Sequence, residues 1–145
     1  MLRSLLLIAL AVPAPAEFLE IRVFIRDMSC ESCTESLAAA LKRMRGVDTV
    51  DVDFKAGTVA LKFAPQNRQG PDQVWDAIKR VGFTPGATDV RVRGSVKDGR
   101  LEVPETGKSF EIEGRTAAGE NVELKGVTAP PPDPRTPVRI KIAEP

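Results

Sequence analysis

Cys30 and Cys33 are the only cysteines of this 145-residue chain, which has no histidine; they stand in the run Asp27-Met28-Ser29-Cys30-Glu31-Ser32-Cys33. The thiolate is both the nucleophilic and the metal-ligating form of cysteine, so a C-x-x-C pair admits three chemistries. The first is a structural disulfide, although closing so short a loop constrains the unfolded chain by only ~2 kcal/mol. The second is thiol–disulfide exchange, whose thioredoxin-type sites usually carry Trp directly before the first Cys; here Ser29 occupies that place and the single Trp is Trp75. The third is capture of a soft metal ion. A structural zinc site wants four Cys or His ligands, which this chain does not supply alone. Two sulfurs suit Cu(I), and Hg(II) by the same softness. Zn(II) would need water, the carboxylates of Asp27 or Glu31, or a second protein. The missing histidine also removes imidazole acid–base catalysis and Ser-His-Asp or Cys-His sites, and the chain reads as a non-enzyme.

The elements that must position the pair are visible in the apolar periodicity. Residues 18–26 read as a strand, with Leu19, Ile21, Val23 and Ile25 on one face and Phe18 and Phe24 on the other. Cys33, Leu37, Ala40, Leu41 and Met44 make an amphipathic helical stripe. Ser32 and Glu35 have capping-box spacing at its start, with Ser29 as a rival cap, and Arg45-Gly46 suits its end. The pair therefore lies at a strand–helix junction, where the partial positive charge and free N–H groups of the helix N-terminus favour thiolate over thiol. Val50, Val52 and Phe54, then Val59, Leu61 and Phe63, alternate on either side of Lys55-Ala56-Gly57, a tight hairpin. Pro71 opens a second helix with Val74, Ile78 and Val81 on its apolar face, Lys79 and Arg80 in its last turn and Gly82 behind it. Val90 and Val92 begin a fourth strand. The order β-α-β-β-α-β predicts an α+β, ferredoxin-like domain over residues 17–95.

The pattern Met28-x-Cys30-x-x-Cys33 at that junction, with Gly46-Val47 after the first helix and Val81-Gly82-Phe83 after the second, resembles the heavy-metal-associated domain family. That family includes copper chaperones, N-terminal domains of metal-transporting P-type ATPases and periplasmic mercuric-ion-binding proteins. The resemblance spans roughly residues 19–93. It implies Cys30 and Cys33 as metal ligands, Met28 packed inward to shape the loop, Phe83 close to it, and a metal transporter or other acceptor with thiol ligands as partner. One departure is Asp27, where the family usually has Gly. A carboxylate there would raise the thiol pKa values or offer an oxygen ligand, and Glu31 adds further negative charge.

Residues 96–145 carry only strand patterns. Turn signals at Asp98-Gly99, Thr106-Gly107 and Ala118-Gly119 separate short strands at 92–97, 100–103, 109–113, 121–127 and 138–142, which predict a small all-β barrel or sandwich. Strand spacing and the glycines of Gly94-Ser95-Val96, Gly119 to Val127 and Ile140-Lys141-Ile142 loosely resemble small OB-like barrels. The Pro-rich stretch 129–137 reads as a stiff loop outside any ladder. With one aromatic, Phe110, and mixed charge, this block does not suit nucleic-acid binding. About 50 residues make a small core, so the block should pack against the first domain.

At the N-terminus, Arg3, the apolar run Leu5 to Val12 and Ala14-Pro15-Ala16 read as a cleaved signal peptide, residues 1–16; the run is too short for a membrane span of about 20 residues. Without Arg3 the 21 basic residues fall to 20, balancing the 20 acidic ones. The mature chain would be neutral, exported to a periplasm or medium, without a stable membrane anchor and without an electrostatic pull toward nucleic acid.

Overall fold

The computed structural model describes residues 17–103 and 108–143. The signal segment 1–16 and the turn at Thr106-Gly107 lie outside the described residues. The first half runs β1 (Glu17–Ile25), α1 (Cys33–Lys42), β2 (Val47–Asp53), β3 (Thr58–Phe63), α2 (Pro71–Arg80) and β4 (Pro85–Lys97). Its strands lie side by side in the order β2-β3-β1-β4, each pair antiparallel. That is the ferredoxin-like arrangement expected from the sequence. Leu37 and Leu41 of α1 and Val74, Trp75 and Ile78 of α2 are buried, as are Ile21, Val23, Val59 and Leu61 of the sheet. Full burial of each aliphatic chain contributes about 1.5–3 kcal/mol.

Two local expectations for this half are corrected. Phe18 lies with Ile21 on the core face, whereas Phe24 is 46% exposed on the opposite face. The cause is a β-bulge at Leu19. Phe18 pairs with Val92 and Glu20 with Arg91, so β1 uses two steps where β4 uses one, and the side-chain alternation changes phase. Helix α1 ends at Lys42 rather than at Arg45. Turns from Met44 N–H to Leu41 O and from Val47 N–H to Met44 O carry the chain on to β2.

The second half adds β5 (Arg100–Val103), β6 (Lys108–Glu113), β7 (Gly119–Thr128) and β8 (Arg139–Ile142). The separate strand expected from residue 92 is the continuation of β4, which runs through residues 95 and 96 without a break. One edge of β4 carries β1 as far as Arg93 and then β5 from Ser95. The other edge carries β7, from Thr88 opposite Thr128 to Val96 opposite Gly119. The pairings β4–β5, β5–β6, β6–β8, β8–β7 and β7–β4 return on themselves, so five strands form a barrel-like ring in which only β6 and β8 are parallel. Val96, Leu101, Phe110, Leu124 and Ile140 fill it and belong to the same apolar cluster as the first half. Phe18 meets Phe110 edge-on at 5.5 Å and 77° across the junction, an arrangement that contributes about 0.5–1.5 kcal/mol beyond its buried area.

Ring closure depends on a close approach of β7 and β8 at Gly126. A Cβ there would stand 2.6 Å from Ile140 Cγ2 and 2.7 Å from the Lys141 carbonyl oxygen. Backbone cannot yield as a flexible side chain can. Gly126→Ala should therefore lower stability by about 1–3 kcal/mol. Urea denaturation followed by far-UV circular dichroism measures it, and because the core is continuous the loss should appear in a single shared transition.

Candidate metal centre

Strand β1 delivers the chain to the site and α1 takes it away. Ile25 N–H donates to Gly57 O of the β2–β3 turn at 2.8 Å, and Arg26 N–H donates to Thr84 O at 3.0 Å. The loop 26–32 therefore leaves the sheet between the turn that joins β2 to β3 and the segment that joins α2 to β4. Cys30 and Cys33 are half-buried and joined as a disulfide, their Cα atoms 5.2 Å apart. Cys33 is the first residue of α1, and its N–H donates to Cys30 O at 3.2 Å, while Thr34 N–H and Oγ1 donate to Glu31 O at 3.1 and 2.6 Å. These bonds wind the C-x-x-C segment into a turn that continues directly into the helix.

The capping role expected of Ser32 is not observed. Its backbone is already helical and its hydroxyl makes no cap; Ser32 Oγ lies 3.0 Å from Cys30 Sγ. A disulfide sulfur has no proton, so the hydroxyl is the donor. Sequence reading missed this contact because S-x-x-E spacing suits a cap equally well.

Met28 is half-buried and packs against the apolar core. Phe83 does the same from the segment after α2. Its place is set by the end of that helix. Gly82, with φ of +92°, donates its N–H to Lys79 O, and Phe83 N–H reaches back to Ile78 O. This is the Schellman arrangement, which only a residue at ease in the left-handed region closes without strain.

Asp27 is not poised as a free oxygen ligand. Its Oδ1 accepts Thr84 N–H at 2.8 Å and its Oδ2 accepts the Thr84 hydroxyl at 3.0 Å. The Thr84 backbone N–H above all holds the Asp27 carboxyl below its ordinary value near 3.8, against a desolvation effect that acts the other way. Glu31 is exposed. Among the described residues, no group of three or more His, Cys, Asp and Glu is gathered to hold a metal, and no helix is long and apolar enough to cross a membrane.

Comparison with known proteins bears on the same region. The model of the heavy-metal-associated domain matches residues 22–84. The copper chaperone CopZ of Staphylococcus saprophyticus is 36% identical over 59 residues, covering 41% of this chain and 85% of that protein. The chain belongs to the heavy-metal-associated domain family. Among solved structures, a CopZ metallochaperone is 26% identical over 46% of this chain and 97% of its own, with a TM-score of 0.42. Oxidized MerP from Ralstonia metallidurans CH34 is 18% identical over 48% and 93%, with a TM-score of 0.41.

The Asp27 bonds make a signed prediction. Its carboxyl is depressed in the folded state, so its contribution is present above the unfolded value and is lost as pH falls through the lower folded value. Acidification below about pH 4 should release the Thr84 amide, seen in 15N–1H spectra as an upfield shift and a lower protection factor once the intrinsic exchange rate at each pH is divided out. Asp27→Ala should remove that titration.

Proposed function

We propose that this protein is a non-enzymatic carrier that captures one soft ion between the Cys30 and Cys33 thiolates and passes it by ligand exchange to the thiols of a transporter or other acceptor protein. The observation that supports this most is the placement of the only two cysteines at the β1–α1 junction of a heavy-metal-associated domain. The donor set of two sulfurs favours ions content with low coordination, Cu(I) first and Hg(II) next, over Zn(II). The likeness to a protein named as a copper chaperone supports the same order. Ligand exchange suits a half-buried pair on a loop, where an incoming thiolate attacks before an outgoing one leaves.

The disulfide fixes what must come first. An external thiolate attacks one sulfur of the Cys30–Cys33 bond, and the other leaves as a thiolate. A second external thiolate then resolves the mixed disulfide, so two electrons pass to the protein and the reductant becomes a disulfide. The metal then takes the place of the thiol protons. Arg3, the apolar run 5–12 and the small residues at 14–16 support export, which puts this cycle in a periplasm or medium. The five-strand ring, whose third and fifth strands are the parallel pair, supports an OB-like reading. Its one aromatic, Phe110, is buried and so offers no stacking platform for a nucleic acid. Its role in this proposal is to brace the metal domain.

The disulfide also favours a second reading, thiol–disulfide exchange as the activity itself. Titration of the reduced mature chain with Cu(I), Hg(II), Zn(II) and Cd(II), beside Cys30→Ser/Cys33→Ser, separates the two. The carrier should bind one equivalent of Cu(I) or Hg(II), lose it in the double variant, and leave insulin disulfides intact. Turnover of insulin without cysteine-dependent metal binding would establish the second reading instead.

A further inference from the structure

We propose that Asp27 is a positioning residue for the metal loop: its carboxylate locks the β1–α1 loop to the α2–β4 segment, so that Cys30, Cys33 and Phe83 are held as one preorganised unit. The inference deepens the reading of Cys30 and Cys33 as metal ligands and rests on it.

Pro85 stands opposite Ile25 at the end of the β1–β4 ladder, where the register is already irregular between Val23 and Ile25. Ile25 N–H turns to Gly57 O on the β3 side, so the Ile25–Pro85 pair leaves this end of the sheet without a bond of its own. Three other bonds close it: Arg26 N–H to Thr84 O, Thr84 N–H to Asp27 Oδ1, and the Thr84 hydroxyl to Asp27 Oδ2. Two of the three need the Asp27 carboxylate. On its other side the same segment is fixed by the Gly82–Phe83 bonds that end α2. Thr84 is therefore held from both directions, and Phe83 sits between the two anchors. Asp27 is three residues before Cys30, so a loop anchored there begins from a defined position rather than from a frayed strand end.

Both Asp27 oxygens are occupied in this arrangement, so the residue acts on the sulfurs through loop geometry and not as a ligand. Groups that orient metal ligands from behind typically change affinity 10–100-fold when removed. Asp27→Ala should weaken Cu(I) binding to the reduced protein by about tenfold, measured against a competing chelator. Thr84→Ala, which keeps the backbone N–H, should cost about two- to threefold by the same reasoning. The double variant should be no weaker than Asp27→Ala alone, since both remove one interaction. Asp27→Asn should stay close to the parent, because its amide oxygen still accepts Thr84 N–H and its amide nitrogen can donate to the hydroxyl. Rescue by Asn distinguishes position from charge.

Amide hydrogen exchange on the same reduced, metal-free variants provides a readout independent of the metal. Asp27→Ala should speed exchange at Thr84 and across residues 26–33 while global unfolding stays cooperative. The proposal is overturned if Asp27→Asn binds Cu(I) as poorly as Asp27→Ala, if Thr84→Ala and Asp27→Ala act additively, or if exchange is unchanged. Should the parent protein bind no metal through its cysteines, the carrier reading fails, while the exchange result still decides whether Asp27 holds the two segments together.

Discussion

The hydrogen bonding of β4 along both of its edges is the constraint on which the rest of the molecule depends. In a four-stranded ferredoxin-like sheet this strand would end the sheet with a row of open N–H and C=O groups. Here β7 covers that row, and the strand then hands its other edge from β1 to β5. The small second half gains from this as much as the first. A block of about 50 residues buries too little surface to hold a core by itself; it shares β4 and joins Phe110 to Phe18. The charged faces add a little, with Arg93 bridging half-buried Glu17 of β1 and exposed Glu123 of β7 at 3.6 Å each; the solvent-exposed pair with Glu123 is worth at most about 1 kcal/mol.

The chemistry follows from where β1 and β4 stop. The cysteine pair sits where a strand gives way to a helix, so reduced sulfurs would face the positive end of the α1 dipole, with the Ser32 hydroxyl already directed at Cys30 Sγ. The acidic neighbours looked from the sequence like an argument against a thiolate site. The structure reduces that objection, because Thr84 occupies both Asp27 oxygens, and the charge of exposed Glu31 is screened by solvent and salt.

Much of this was legible in the residues, and the misses have particular causes. The alternation of Val50, Val52, Val59 and Leu61 fixed β2 and β3 because one sheet face is covered by helices and the other is open. Pro71 announced α2, and the structure adds a bond from Gly70 N–H to Gln73 Oε1 at 2.8 Å at its start. The bulge at Leu19 left no local trace, since apolar residues on both faces of residues 18–25 tolerate either phase. The continuity of β4 was hidden because Val90, Val92 and Val96 satisfy period two whether they form one strand or two. The parallel β6–β8 pair joins segments separated by the Pro-rich loop, and no periodicity reports a pairing between distant segments. The Asp27–Thr84 contact spans 57 positions and joins two loops, where side-chain spacing carries no pattern at all.

The two halves therefore stiffen different parts of the same strand. The ladder with β7 reaches up β4 only to Thr88, three residues short of Pro85. Beyond that point no strand pairs with that edge of β4 among the described residues, and its other edge ends in the proline opposite Ile25. A carrier needs sulfurs held closely enough to grip an ion, yet open enough for a partner's thiolates to reach it. Bracing the lower part of the strand with a barrel, and its last residues with a single side-chain carboxylate, meets both needs: the scaffold is rigid up to the loop, and the ladder itself does not extend alongside the cysteines.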